Sequence, residues 1–225
     1  MSDQRQIFSE IVKQRRSVRG FKKEAVERSI IESVFECAQH APSNCNTQPW
    51  QVVVASGAKC DELREKFTNG FLEGQFSMDF PYDGQYEGVY KERQYDAANQ
   101  LYSAQDISRE DKQSRNEAFM RNFVFFDAPH VAFFFLPEPF GLREAADLGM
   151  YAQSVMLSLV AHGLAGCPQT ALSMNAEMLR DALDVPETNK ILFGVSFGYE
   201  DEEHPANKCR VGRADLGDVV RIVEK

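Results

Sequence analysis

The chain has 225 residues, and its 25 lysines and arginines against 34 aspartates and glutamates leave a formal net charge of −9. Because phosphate neutralisation supplies most nonspecific affinity for nucleic acid, we expect no nucleic-acid partner. No apolar run approaches the roughly 20 residues of a spanning helix, and the N-terminal residues resemble no secretory signal. We therefore expect a cytoplasmic protein without a membrane partner. Five scattered cysteines without C-x-x-C spacing, and four dispersed histidines, predict neither a disulfide framework nor a metal site.

The N-terminal third predicts two amphipathic helices followed by a loop, a strand and a helix. The first helix covers 3–15, with Asp3 as its N-cap, and the second runs from about Val26 to Gln39. Turn-forming residues then fill 40–49. The run QVVVAS predicts a buried strand over 51–56, and the third helix covers 59–71.

Residues 72–122 differ from the rest of the chain, because glycines and many aromatic side chains, Tyr82 among them, make the first part irregular. The stretch becomes more helical toward Tyr102, and Ser108–Asp111 predicts the start of a helix to about Asn122. It is too aromatic for a disordered linker. We interpret 72–122 as an insertion in a single domain over 1–225, and as a possible substrate lid.

The C-terminal half predicts a strand over 131–136, a long helix over 142–162, a short helix over 176–183 and a strand over 191–199, with a possible terminal strand over 219–223. Long helices around a few separated strands favour an α+β fold. No G-x-G-x-x-G follows a strand, and no P-loop or G-x-S-x-G motif occurs. The sequence therefore gives no support to a Rossmann dinucleotide site, a P-loop or a serine hydrolase.

Two basic clusters stand out in this acidic chain. Seven basic residues lie between Lys13 and Arg28, and three more lie between Lys208 and Arg213. If 15–19 is extended, Arg15, Ser17 and Arg19 point to one side, where guanidinium forks suit a phosphate. Taken alone, the same residues also fit a solvated basic helix end.

Two further segments each allow a structural and a functional interpretation. The amides of 41–50 suit a heterocycle with mixed donors and acceptors, or an ordered turn with Trp50 in the core. The glycine-rich segment 163–171 suits close approach to a flat ligand, or a helix C-cap. We interpret Cys167 as a packing cysteine.

Taken together, four segments in this order resemble the FMN-dependent nitroreductase family, and specifically its nitrobenzoate and nitroarene reductase branch. They are Arg15–Arg19, Ala41–Trp50, Gly163–Ala171 and Asn207–Arg210. The resemblance covers most of the chain. It implies an α+β fold with a central mixed sheet flanked by helices, in an entwined homodimer that binds two FMN molecules at the subunit interface.

The resemblance also implies roles for individual residues in holding FMN. The first basic cluster would hold the ribityl chain and phosphate, Arg210 and Lys208 would close on the phosphate, and the 42–46 loop would come from the other subunit. Segment 168–170 would lie along the flavin ring, and Asn122 would reach its pyrimidine edge. The implied FMN-binding residues are Arg15, Arg16, Ser17, Arg19, Pro42, Ser43, Asn44, Asn46, Asn122, Pro168, Gln169, Thr170, Lys208 and Arg210.

The implied activity is a flavoprotein oxidoreductase that transfers hydride from NAD(P)H to small aromatic acceptors, nitroaromatic or quinone-like, by ping-pong kinetics. FMN would carry the chemistry, so no residue is assigned as catalytic. The alternatives are a reductive dehalogenase or enoate reductase of the same fold, or a flavin-binding protein without turnover.

Overall fold

The structure, a computed structural model, describes residues 3–81 and 84–224, so Tyr82 of the predicted insertion lies outside the described residues. The helices of the described residues are α1 (Gln4–Gln14), α2 (Arg28–Ala38), α3 (Ala58–Leu72), α4 (Gly88–Ser103), α5 (Lys112–Met120), α6 (Leu142–Ala161), α7 (Ala176–Leu183) and α8 (Leu216–Val219). The strands are β1 (Gln51–Ser56), β2 (His130–Pro137), β3 (Ala165–Gln169) and β4 (Asn189–Gly198). None of these helices is long and apolar enough to cross a membrane.

The four strands form one sheet in the order β1-β2-β4-β3, and every neighbouring pair is antiparallel. Helices and a separate antiparallel sheet confirm the predicted α+β class. The parallel pairing expected of a mixed sheet is limited, among the described residues, to isolated bridges such as Ser17 with Gly166.

Strand β2 is central because both of its faces are buried. Val131, Phe133 and Phe135 belong to one core cluster, which also contains Phe67 of α3. The alternate residues of β2 belong to a second cluster with Tyr151 of α6. A strand that is buried on both faces has apolar residues at successive positions, which explains the sequence VAFFFL of residues 131–136.

Three expectations about strands need correction. The β1 run was predicted to be buried, but only Ala55 is, because β1 lies at a sheet edge and Val54 is exposed. Strand β3 was not predicted, since Gly166 and Pro168 disfavour strands except at an edge, where β3 lies. The predicted terminal strand over 219–223 is absent: α8 ends at Val219, and the described residues after it pair with no strand.

The 72–122 segment is tied to the core where it leaves α3. Asp79 accepts from Arg180 Nη1 of α7 at 2.6 Å and from the backbone N–H of Ile191 at 2.8 Å. Two residues earlier, the Ser77 carbonyl accepts from the Ala176 N–H at 3.0 Å. Beyond this anchor, α4 contains no buried residue.

His130 is a buried titratable group in the core, with 3% of its surface exposed. Its Nε2 accepts from the Val26 N–H at 2.9 Å, so the neutral ring carries its proton on Nδ1, which lies 2.6 Å from Ser56 Oγ. Burial lowers the pKa of His130. A protonated ring would place an Nε2–H against the Val26 N–H, so the folded state favours the neutral imidazole.

This geometry predicts a loss of stability in mild acid. The unfolded chain binds the His130 proton at an ordinary pKa near 6.5, whereas the folded chain binds it only at lower pH. The unfolded state therefore holds more protons below pH 6.5, and the free energy of unfolding should fall by up to about 1.4 kcal/mol per pH unit from this group. Urea unfolding at several pH values from 7.5 to 5 measures how steeply the free energy of unfolding falls with pH. This dependence should be weaker in His130→Gln. An unchanged dependence would mean that other titratable groups cause it.

Candidate functional site

A cavity of about 1170 Å³ lies between the segment after α1, the turn after α6 and the C-terminal tail. Its lining includes Arg15–Arg19 from the first segment, Gly163–Gly166 from the turn and Cys209–Arg213 from the tail. Three of the four segments that carry the family resemblance therefore contribute residues to this cavity or to strand β3 beside it. They are Arg15–Arg19, Gly163–Ala171 and Asn207–Arg210.

Backbone pairing holds the first segment on the edge of the sheet. Ser17 forms a parallel bridge with Gly166, and the Val18 N–H donates to the Gly166 carbonyl at 3.3 Å. The Val18 side chain is buried in the core. Its neighbours Ser17 and Arg19 are half-buried and also line the cavity.

Asn207 connects the N-terminal segment at Arg19 and Gly20 to the C-terminal turn at this site, although the sequence predicted no role for it. Its Oδ1 accepts from the Arg19 N–H at 2.7 Å, and its Nδ2 donates to the carbonyls of Gly20 and Asp201, both at 2.8 Å. The residue is 2% exposed. It fixes the backbone beside Arg19 relative to the turn that precedes Arg210. The only feature of the sequence that could have indicated this role is the position of Asn207 at the start of the segment Asn207–Arg210.

Gly20 is required at this junction by close packing. A Cβ built at Gly20 would lie 2.3 Å from Cγ of His204, a distance that real side chains do not reach. The glycine therefore lets the first basic segment lie directly against the turn that carries Asn207.

The cavity is strongly cationic. Its lining includes one carboxylate, Glu200, which pairs with Nη2 of Arg16. The other lining cations form no ion pair within the described residues; they are Lys13, Arg15, Arg19, Arg210 and Arg213. The pKa of Arg15 is lowered, first by burial and then by the nearby charge of Arg213. Arg16 Nη1 is buried without a hydrogen-bond partner. Such an arrangement fits a phosphate-bearing ligand.

A second, smaller cavity of about 180 Å³ adjoins the first at Arg19. It is lined by Asn122 and, from the 72–122 segment, by Tyr102 and Gln105. Asn122 and Arg19 therefore contribute to the lining of the same small cavity.

Comparison with known proteins decides the family. A sequence model of the nitroreductase family matches residues 12–199. The chain belongs to the nitroreductase family.

Individual relatives cover nearly the whole chain. The chain is 42% identical over 221 residues to "Nitroreductase NfnB" of Mycolicibacterium smegmatis, covering 98% of this chain and 94% of that protein. It is 34% identical over 204 residues to a 4-nitrobenzoate reductase of Nocardioides, covering 88% and 82% of the two. Among solved structures, the FMN-dependent nitroreductase NfnB from Mycobacterium smegmatis in complex with NADPH superimposes with a TM-score of 0.95 at 41% identity, covering 99% of this chain and all of that chain.

In this member of the nitroreductase family, the side chain of Gln169 forms its hydrogen bonds with groups inside the protein. Its Nε2 donates to the backbone carbonyl of Asn122 at 2.9 Å and to Asn122 Oδ1 at 3.2 Å, and its Oε1 accepts from Ser196 Oγ. The Gln169 side chain therefore faces Asn122 rather than solvent and positions that amide. Pro168 and Thr170, on either side of it, are exposed.

Lys208 is the member of the second basic cluster that the structure separates from the cavity. It is exposed and does not belong to the lining, whereas Arg210 does. The turn over Pro205–Lys208 ends there, and the chain then enters the cavity wall.

The 42–46 loop also lies away from the cavity in the single chain. Pro42, Asn44 and Asn46 are exposed and Ser43 is half-buried, and none of them contributes to the lining. The Asn44 N–H donates to buried Asp147 at 3.0 Å, and the backbone is left-handed at Cys45, Asn46 and Gln48. Left-handed backbone at non-glycine residues is costly and concentrates at functional sites, which marks this loop as a candidate functional segment. Trp50, which follows it, is buried and stacks on Tyr151 at 4.6 Å between ring centroids.

Two other candidate chemistries find no support in the described residues. Burial raises the pKa of the Cys167 thiol to about 11, so a reactive thiolate is disfavoured and the packing interpretation holds. No group of three or more His, Cys, Asp or Glu side chains in the described ranges could hold a metal ion.

Proposed function

We propose that this protein is an FMN-dependent nitroreductase that oxidises NADPH and reduces nitroaromatic or quinone-like acceptors. The observation that carries the proposal is a cavity that both Arg15 and Arg210 line, neither with an ion-pair partner among the described residues, beside a buried Arg16 nitrogen that has no hydrogen-bond partner there. Support also comes from relatives described as FMN-dependent or FMN- and NADPH-dependent nitroreductases.

The residues of the large cavity fit the phosphate and ribityl parts of FMN. Arg15 and Arg210 come from opposite ends of the chain and line the same space, where they would bind phosphate oxygens. Arg16 Nη1 needs an acceptor because a buried unsatisfied donor costs about 1–3 kcal/mol. The Ser17 hydroxyl would hydrogen-bond to the sugar-like chain.

The residues of the small cavity fit the polar edge of the flavin ring. Arg19 lies between the two cavities, and the Asn122 amide is oriented by its bonds to Gln169 and to the Phe119 carbonyl at 2.8 Å. Bound FMN would supply the two-electron redox chemistry between NADPH and the nitro group. The chain's task is then orientation, exclusion of water and a positive field, and a positive field favours a cofactor that gains negative charge on reduction.

We propose that the site is completed in a homodimer. The loop 42–46 presents polar groups outward without reaching its own cavity, so it would complete the cavity of the partner copy. Apolar side chains on α1 and in the C-terminal tail are exposed in the single chain and would be covered by the partner; they are Ile7, Phe8, Val12, Leu216, Val219, Val220, Ile222 and Val223.

Removal of residues 216–225 should convert the dimer to monomer, because it removes most of these apolar side chains without touching the core. FMN binding should weaken in the same variant, since each site would lose its second copy. Sedimentation velocity measures the first effect and FMN titration the second. Arg221→Gln, which keeps the apolar tail, is the matched control and should remain dimeric. A truncated protein that stays dimeric would contradict this role of the tail.

We propose that the 72–122 segment selects the acceptor, because Tyr102, Gln105 and Phe119 form one wall of the small cavity. We also place the enzyme in the cytoplasm, in keeping with five cysteines that form no disulfide.

The activity is tested by NADPH oxidation in the presence of FMN-loaded protein and nitrobenzene. The expected result is oxidation that requires both bound FMN and the acceptor, with parallel lines in double-reciprocal plots because NADPH and acceptor use the same face in turn. NADPH oxidation that is the same with and without FMN would overturn the proposal.

A further inference from the structure

The cavity carries more positive charge than one FMN phosphate can balance. Five lining cations have no carboxylate partner among the described residues. A phosphate monoester brings about two negative charges near neutral pH. Roughly three positive charges therefore remain, and they would repel one another unless a further anion enters the cavity.

Arg213 is the cation that is most available for a second anion. Its guanidinium bonds only to the carbonyls of Val211 at 3.0 Å and Gly212 at 2.8 Å, which hold the side chain at the rim without neutralising it. It lines the cavity and is exposed, so a ligand from solvent can reach it. Its charge is close enough to that of Arg15 to be felt there.

Lys13 is a second exposed cation of the same lining and comes from α1. It lies in the last turn of α1, is exposed and also lines the cavity. Arg15, Arg16 and Arg19 are partly buried, whereas Lys13, Arg210 and Arg213 are exposed. The partly buried cations, together with Arg210, form the inner group assigned to FMN, and Lys13 and Arg213 are left for a second phosphate.

We infer that Arg213, with Lys13, forms a second phosphate site at the rim, which binds a phosphate of the nicotinamide dinucleotide while FMN occupies the inner site. The inference rests on the proposed function. The chemistry fits two phosphates of the dinucleotide: the 2′-phosphate, which only NADPH carries, and the pyrophosphate, which NADH shares. The site therefore governs recognition of the reducing cosubstrate and leaves FMN retention to the inner cations.

The test compares the FMN-loaded protein with its Arg213→Gln variant by calorimetric titration of NADP⁺ and NAD⁺, which bind without reacting. Loss of a charge-assisted contact should weaken dinucleotide binding at least about tenfold. Weakening of NADP⁺ alone assigns the site to the 2′-phosphate, and weakening of both dinucleotides assigns it to the pyrophosphate. Arg221→Gln removes an equal charge from the same tail outside the cavity and should leave both affinities unchanged.

Two further measurements distinguish a failure of this inference from a failure of the proposed function. FMN affinity and the KM for nitrobenzene should be unchanged in Arg213→Gln. Unchanged dinucleotide affinities, or a loss confined to FMN or to a carboxylated acceptor such as 4-nitrobenzoate, would overturn the second phosphate site while the nitroreductase activity stood. A wild-type protein that binds no FMN would overturn the proposed function and this inference together, and it is recognised in the first titration.

Discussion

Replacing Asp79 by alanine is expected to destabilise the protein by about 3–5 kcal/mol, because it leaves the Arg180 guanidinium buried without its counter-ion. The side chains of Arg180 and Asp79 are only 9% and 7% exposed, and their 2.6 Å contact lies between the 72–122 segment and α7. The same carboxylate also accepts from the Ile191 N–H at the start of β4. One side chain therefore ties the insertion to both a helix and the sheet.

Urea unfolding measures this effect, and a thermal scan should show a decrease in Tm of roughly 6–20 °C for a chain of this size. Asp61→Ala is the matched control, since Asp61 pairs with Arg64 on the surface with 76% of its side chain exposed, and such pairs contribute about 1 kcal/mol or less. A loss in Asp79→Ala no larger than that in Asp61→Ala would mean that the buried pair does not anchor the segment.

Replacement of Arg15 or Arg210 by alanine should weaken FMN binding by about 10- to 150-fold, the equivalent of about 1.5–3 kcal/mol for one charge-assisted contact. The two residues lie 195 positions apart in the sequence yet line one cavity, so a shared ligand is the simplest reason for losses of similar size. Quenching of flavin fluorescence on titration of FMN into the apoprotein measures both.

Lys208→Ala separates this assignment from a general effect of positive charge. Lys208 lies two residues before Arg210 and carries the same charge, but it does not line the cavity. We expect less than about threefold loss of FMN affinity, within the range of surface charge effects. Equal losses in Lys208→Ala and Arg210→Ala would indicate a long-range field rather than a bound phosphate.

The sequence was most informative where a local pattern decides a local structure. Asp3 caps α1 by accepting from the Arg5 N–H, and α7 spans 176–183 as predicted. In each case the deciding contacts lie within a few residues of one another.

The sequence was least informative where the structure depends on distant partners. The exposure of Val54 follows from the place of β1 at the sheet edge, which no local pattern reveals. The role of Asn207 depends on Arg19, 188 residues earlier. The Gln169 side chain hydrogen-bonds to Asn122 and Ser196 in the interior, a pairing that only the folded sheet creates, and its place along the flavin ring stays a prediction.

The proposed function is tested most directly by anaerobic mixing of the FMN-loaded protein with NADPH, followed by addition of 4-nitrobenzoate. We expect one tightly bound FMN per chain, loss of the yellow flavin absorbance with NADPH, and its return with the nitro compound. A protein that binds no FMN, or whose bound FMN keeps its colour in the presence of NADPH, would contradict it.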